Sequence, residues 1–197
     1  MPDSDDVLGW LLFRQDDVIS RRQALGVIPE ARLRRLVASG RWTRPHRGVY
    51  VAHNGPLTAA QRAWVAALCA GAGRPAPLAG LSALAAHGLR GYETRQVHVY
   101  LPATMRYKAA DAPPFLVVHR TRQLTRDDFH YPSPPRTTAA RSVLDAAQWA
   151  PSGDRARAII AAAFQQRLVE ATDVSATLAR MTWALRRDLI TATLNDV

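Results

Sequence analysis

Eight arginines lie between Ser20 and Val51: Arg21, Arg22, Arg32, Arg34, Arg35, Arg41, Arg44 and Arg47. Glu30 is the sole acid in that stretch, so it carries seven of the chain's ten net positive charges. Guanidinium forks at this density suit a polyanion, because they pair bidentately with phosphate oxygens and with the O6/N7 edge of guanine. His46, between Arg44 and Arg47, can join the same contacts. The chemistry these residues predict is recognition of nucleic acid, without a catalytic group of its own.

Other constellations are weaker. A restriction-type nuclease needs an acidic pair and a nearby lysine to hold metal and activate water. The lone lysine, Lys108, has Arg106 two residues before it where an acid would be needed. Asp127 and Asp128 stand beside His130, a grouping that reads better as a polar turn opening a helix. The six histidines, at 46, 53, 87, 98, 119 and 130, form neither H-x-x-x-H nor H-E-x-x-H. His98 and His119 fall on separate strands and are expected to stack. There is no G-x-S-x-G, no P-loop and no G-x-G-x-x-G. The expectation is no catalytic residue, no metal and no cofactor.

The arginines must be positioned by a helix-turn-helix followed by a wing. A first helix over 5–16 is capped by Asp5 or Asp6 and repeats Val7, Leu8, Leu11 and Leu12 at helical spacing. Val18-Ile19 forms a short extended bridge. Ser20 and Gln23 have the spacing of a capping box for a second, short helix that stops at Gly26. After the Val27-Ile28 turn, Pro29 opens a third helix that ends near Ser39, with Gly40 as its cap. Leu33, Leu36 and Val37 make its buried stripe. Ala31, Arg34, Arg35 and Ala38 face outward, with Arg32 on the flank. Small residues among arginines let a helix approach a groove closely. Trp42-Thr43 and Val49–Val51 read as the wing strands, with His46–Gly48 at the tip. The wing's Arg44 and Arg47 are placed to meet backbone or minor groove.

Residues 52–57, with Asn54-Gly55-Pro56, read as a linker. The expected organisation is α+β in two domains: a winged helix-turn-helix over 1–55, and a mixed α/β domain over 56–197 with a small sheet and several helices. In the second part, helices are expected over 59–70 (capped by Thr58), 80–88, 139–149, 154–168, 174–185 and 186–194. Val97–Leu101 and Phe115–His119 alternate as strands. Trp42, Trp64, Trp149 and Trp183 read as core or helix–helix anchors. Arg120, Arg122, Arg126, Arg136 and Arg141 could extend a nucleic-acid contact or meet an acidic partner.

Composition sets outer limits. Of 197 residues, 48% are hydrophobic, enough for a true core. No apolar run approaches ~18 residues, so no membrane span is expected. Cys69 is the single cysteine, which excludes an internal disulfide or a thiolate zinc site. The acidic start, Met1 to Asp6, is wrong for a secretory signal. A cytoplasmic protein is the simplest expectation.

Four segments together carry a family resemblance. They are Ile19–Leu25, Arg32–Trp42, His46–Val51 and Pro135–Asp145, with Ser39-Gly40-Arg41-Trp42 and Gly48-Val49-Tyr50 the most specific runs. The chain resembles the AbiEi-type antitoxins of type IV toxin–antitoxin systems, in their solitary actinobacterial style, over most of residues 5–150. The resemblance implies a winged helix that binds inverted repeats of double-stranded DNA in its own promoter as an autoregulatory repressor. A dimer, or two heads on an inverted repeat, would raise specificity. It further implies a C-terminal α/β domain that opposes a nucleotidyltransferase toxin in phage defence. By position, Arg21, Arg22, Arg34, Arg35, Arg44 and Arg47 fall in the DNA-binding head. Many relatives continue into a restriction-like nuclease domain. The alternative expectation is therefore a DNA-targeting accessory, or a piece of a nuclease-containing defence protein.

Overall fold

The computed structural model describes residues 4–105, 107, 112–131 and 133–196. Arg106 and Lys108, weighed above against a nuclease site, lie outside the described residues, as do Met1 to Asp3. The fold is α+β. No helix among the described residues is long and apolar enough to cross a membrane.

The head opens with α1 (Ser4–Arg14), then β1 (Val18–Ser20), α2 (Arg21–Leu25), α3 (Glu30–Ala38), β2 (Thr43–His46) and β3 (Val49–Val51). The Val18-Ile19 bridge is a full sheet strand: β1 pairs antiparallel with β3, which also pairs with β2, giving the order β1-β3-β2. All three β1 residues are buried. The capping box forms as its spacing predicts, with Ser20 Oγ accepting from the Gln23 N–H and Gln23 Oε1 accepting from the Ser20 N–H. Pro29 is the residue before the first turn of α3 rather than its first member.

Leu33 is fully buried, and Leu36 and Val37 pack beside it. They share a cluster with Leu8, Ile19, Ala24, Ile28, Trp42 and Tyr50. Trp42 precedes the wing strand and packs beneath it. Burying it on the order of 7% exposed removes a large apolar area from water, and it anchors the wing to α3.

Residues 52–57 form the irregular connection read from Asn-Gly-Pro. His53 fastens it: the Gly55 N–H donates to His53 Nδ1, and His53 Nε2 meets Gln61 Oε1 at 3.0 Å. Packing is continuous across this connection. Val18, Val49 and Val51 form one apolar cluster with Trp64, Val65 and Leu68 of α4 (Ala59–Ala70). The sheet of the head therefore has α1–α3 on one face and α4 on the other.

Beyond α4 come α5 (Gly80–Ala86), β4 (Val97–Pro102), β5 (Leu116–Thr121), a 3₁₀ turn at Arg126–Asp128, β6 (Phe129–His130) and β7 (Arg136–Thr137). β4 and β5 run parallel, Val97 opposite Leu116 through Pro102 opposite Thr121. A parallel return needs a connection of about a dozen residues, which residues 103–115 supply. β6 and β7 are antiparallel. Leu78 bridges to Val99 on one side and Arg136 on the other, joining the two pairs into one layer.

Four helices, α6 (Ala139–Trp149), α7 (Gly153–Gln165), α8 (Ala171–Arg180) and α9 (Arg187–Asn195), complete the fold. α6 is central, packed on α5, α7 and α8, and Val143, Leu144 and Ala147 are fully buried. Gly80 sits at φ +52, and a Cβ there would lie 2.6 Å from the Trp149 ring. The start of α5 can therefore meet α6 only without a side chain. Trp183, expected as a core or helix–helix anchor, is 64% exposed. α8 ends at Arg180 with Met181 extended, which takes Trp183 off the helical stripe its spacing implied.

Candidate nucleic-acid interface

Three elements bring the head's arginines to one groove. The wing turn is a two-residue loop, Arg47-Gly48, with His46 already in β2; Gly48 takes φ +78, a conformation a side chain would strain. Its carbonyl accepts from the Arg21 N–H at 2.7 Å, tying the wing tip to the start of α2. Thr43 stands opposite Val51 and His46 opposite Val49, so Arg44 and Pro45 together face Tyr50. This two-against-one bulge re-aims side chains on the edge strand. Pro45, lacking an N–H, is tolerated there because β2 is an edge.

The result is a groove of about 1070 Å³ lined by Arg21, Arg22, Arg34, Arg44 and Arg47. These five arginines are all exposed. Leu68, Cys69, Ala72 and Gly73, from the end of α4 and the loop after it, form the far wall. Burial pushes the Cys69 thiol up to about 12, so it is a wall residue without thiolate character. Glu30, in the first turn of α3, also lines the groove and pairs with Arg21 at 2.8 Å, with both side chains about half exposed. An acid there suits the helix dipole, and it holds Arg21 across the gap between α2 and α3.

The remaining residues singled out from the sequence sit elsewhere. Arg32 is half-buried, and Arg35 and Arg41 are exposed, but none of the three lines the groove. His46 is half-buried, with Nδ1 2.9 Å from the Arg47 carbonyl oxygen. The start of α2 offers little helix dipole to a phosphate. α2 has five residues, and two of its first N–H groups are already taken by Gly48 O and Ser20 Oγ. The Arg21 and Arg22 side chains must supply the charge.

The acids and bases of the second half make a different arrangement. Arg141 is 2% exposed. Its Nε donates to Asp145 at 3.0 Å, Nη1 reaches Asp128 at 3.4 Å, and Nη2 donates to the Tyr100 hydroxyl at 3.3 Å. Tyr100 in turn donates to Asp145 at 2.7 Å. Burial pushes the Asp145 carboxyl up to about 6 against the pull of Arg141. Asp128 accepts from Thr125 N–H and Oγ1, so it caps the 3₁₀ turn as a helix-start acid. Among the described residues no group of three or more His, Cys, Asp or Glu is placed to hold a metal ion.

His98 and His119 stack as expected, 5.1 Å between centroids and 14° between planes. Trp149, read from the sequence as a core or helix–helix anchor, extends the stack, with its ring centroid 3.4 Å from that of His119. Desolvation lowers both imidazoles, His119 to about 4. Of the other basic residues there, Arg120 donates to Ala103 and Met105 carbonyls and Arg136 to the Ala86 carbonyl. Arg122 and Arg126 are exposed.

Residues 11–53 match the family model described as transcriptional regulator, AbiEi antitoxin. Every arginine and the histidine discussed in the head fall inside that match. Over these residues the resemblance drawn from the sequence is borne out. No curated protein matches the chain. Among solved structures the chain is similar to the RV2827C protein of Mycobacterium tuberculosis, at 16% identity over 94% of this chain and 84% of that one, with a TM-score of 0.45.

Proposed function

We propose that this chain is a sequence-specific DNA-binding protein that represses its own promoter and acts as the antitoxin of a type IV toxin–antitoxin operon, without catalysis of its own. The observation that carries the reading is the convergence of Arg21, Arg22, Arg34, Arg44 and Arg47, from α2, α3 and the wing, on one groove with a single acid. Phosphates on either side of a DNA groove are spaced to meet charges offered from separate elements, whereas a merely solvated basic face has no need to converge. Support comes also from the match of this segment to a transcriptional-regulator and antitoxin family.

In this reading α3 enters the major groove. Arg34 contacts bases or clamps phosphates from inside the arginine groove, and Arg35 and Arg32 contact the flanking backbone. Arg44, Arg47 and His46 meet backbone or minor groove from the wing. Arg21 and Arg22 hold phosphate, and Arg41 lies at the margin. The antitoxin role is supported by the similarity of the head to AbiEi antitoxins, and the nucleotidyltransferase partner is proposed from the resemblance.

The test is a reporter driven by the chain's own upstream region. The wild-type chain should repress it, and Arg34→Ala with Arg47→Ala should relieve repression at equal protein level. Co-expression should also rescue growth from a nucleotidyltransferase encoded beside it. Repression unchanged in the double variant would move the DNA contact away from the groove. No repression and no rescue by wild type would sink the proposal.

A further inference from the structure

α1 carries apolar residues on both of its sides. Leu8, Leu11 and Leu12 turn into the head core. On the opposite side Trp10 is 55% and Phe13 85% exposed. Asp6, Gly9 and Arg14 share that side, at i, i+3 and i+8 with Trp10 at i+4 and Phe13 at i+7, and are exposed too. The Arg14 guanidinium lies over the Trp10 ring, 5.0 Å from its centroid. A helix apolar all round belongs in an interior, and aromatic residues with arginine are the types enriched where proteins meet.

We propose that this side of α1 is a contact between two copies of the chain, with α1 packed antiparallel on α1 of the second copy about a two-fold axis at Trp10. Charge selects the occupant. Asp6 stands four residues before Trp10 and Arg14 four residues after it, about 12 Å apart along the axis. Antiparallel pairing centred on Trp10 sets Asp6 of each copy against Arg14 of the other, twice over. Parallel pairing would set like against like. Val7 of one copy then meets Phe13 of the other. Nothing lies within 4 Å of the point where a Cβ on Gly9 would sit, so the second helix can come close there.

An acid at the start of a helix and a base at its end also suit the helix's own dipole. The dipole gives no reason to expose Trp10 and Phe13 between them. One helix face is small, so the association is weak: contacts below roughly 1,200 Å² support transient pairing. This inference rests on α1 alone and stands apart from the DNA reading.

Sedimentation velocity of the full chain without DNA, from roughly 5 µM to 500 µM, spans the range expected of so small a contact. The wild type should shift from monomer to dimer across it. Asp6→Arg and Arg14→Asp should each weaken dimerisation by about 10-fold or more. The combined D6R/R14D variant should return to within about three-fold of wild type, since exchange restores both ion pairs. Phe13→Ser should weaken pairing with no compensating partner, and circular dichroism of each variant checks that the head still folds. A wild type that stays monomeric to the top of the range would overturn the proposal. A D6R/R14D variant no better than its single parents would do the same.

Discussion

The head and the second half use the same residue type in opposite ways. In the head, Arg21, Arg22, Arg34, Arg44 and Arg47 are exposed around one groove, with the single carboxylate of Glu30 among them. In the second half, Arg141 is buried and shared between Asp128, Asp145 and Tyr100. Arg186 donates to the Ala147 and Ala150 carbonyls at the end of α6, and Arg187 to the Leu178 carbonyl of α8. Arginine in the one region is left for a ligand, and in the other it satisfies acceptors that folding has desolvated. The difference lies in the surroundings of the guanidinium: an exposed cation retains its charge for long-range attraction, while a buried one is neutralised by its neighbours.

The largest effect should come from breaking the buried member of this comparison. Arg141→Ala leaves Asp128 and Asp145 without their main counter-charge, a loss of about 3–5 kcal/mol. In a chain of this size that lowers the melting temperature by about 10 °C. Thermal unfolding followed by circular dichroism measures it. The DNA affinity of the folded fraction should be unchanged, because Arg141 does not line the groove.

A second effect sharpens the role of the stacked histidines. The folded-state pKa of His119 is lowered by burial to about 4, with His98 lowered beside it. Between about 4 and the unfolded value of 6.5 the unfolded chain binds more protons, so stability rises with pH and is lost as pH falls through this window. Asp145 has the opposite sign, since its raised folded value favours the protonated native state below about 6. The readout is therefore the difference between variants. Urea unfolding at pH 7 and pH 5 should show wild type losing on the order of 1–2 kcal/mol more than His119→Gln, allowing for partial exposure. Equal losses would mean that the pair is solvated when folded.

Within the head the comparison turns on the groove itself. Arg34→Ala should cost about 1–3 kcal/mol on the preferred duplex if it makes a bidentate base contact. Arg35→Ala should cost less, because Arg35 lies outside the groove. Competition binding with preferred and random duplexes separates the two, and a greater loss for Arg35 would re-aim α3. The smallest change is predicted for Arg47→Ala. It should weaken binding to all duplexes alike and make the salt slope shallower by about 1.

Much of the head is legible because its signals are local. Ser20 with Gln23 and Gly48 at the wing turn are short-range chemistry, and each does locally what its type requires, while Pro29 marks the start of α3 to within one residue. Thr58 and the stripe of Trp64, Val65 and Leu68 mark α4 in the same way. β1 escapes as a strand because three residues are too few to show a period. The far wall of the groove escapes because it comes from the end of α4, some 20 residues beyond the wing and on the other side of a loop.

The Arg141 network is invisible for a related reason. Arg141 and Asp145, four apart on a helix, look like a surface pair. Only the folding of β4 and the 3₁₀ turn against α6 supplies Tyr100 and Asp128 and closes off water. Trp183 fails in the other direction, since extending α8 by periodicity ignores the extended Met181 that ends it.

The claim that the head's arginines exist to meet DNA is tested most directly by a salt-titrated binding assay on the chain's own upstream duplex beside a random duplex of equal length. About five arginine–phosphate contacts predict log K falling against log salt with a slope of roughly −4 to −5, and a clear preference for the upstream duplex. A flat salt dependence, with equal weak binding to both, would contradict the account and return the arginine groove to an unassigned basic surface.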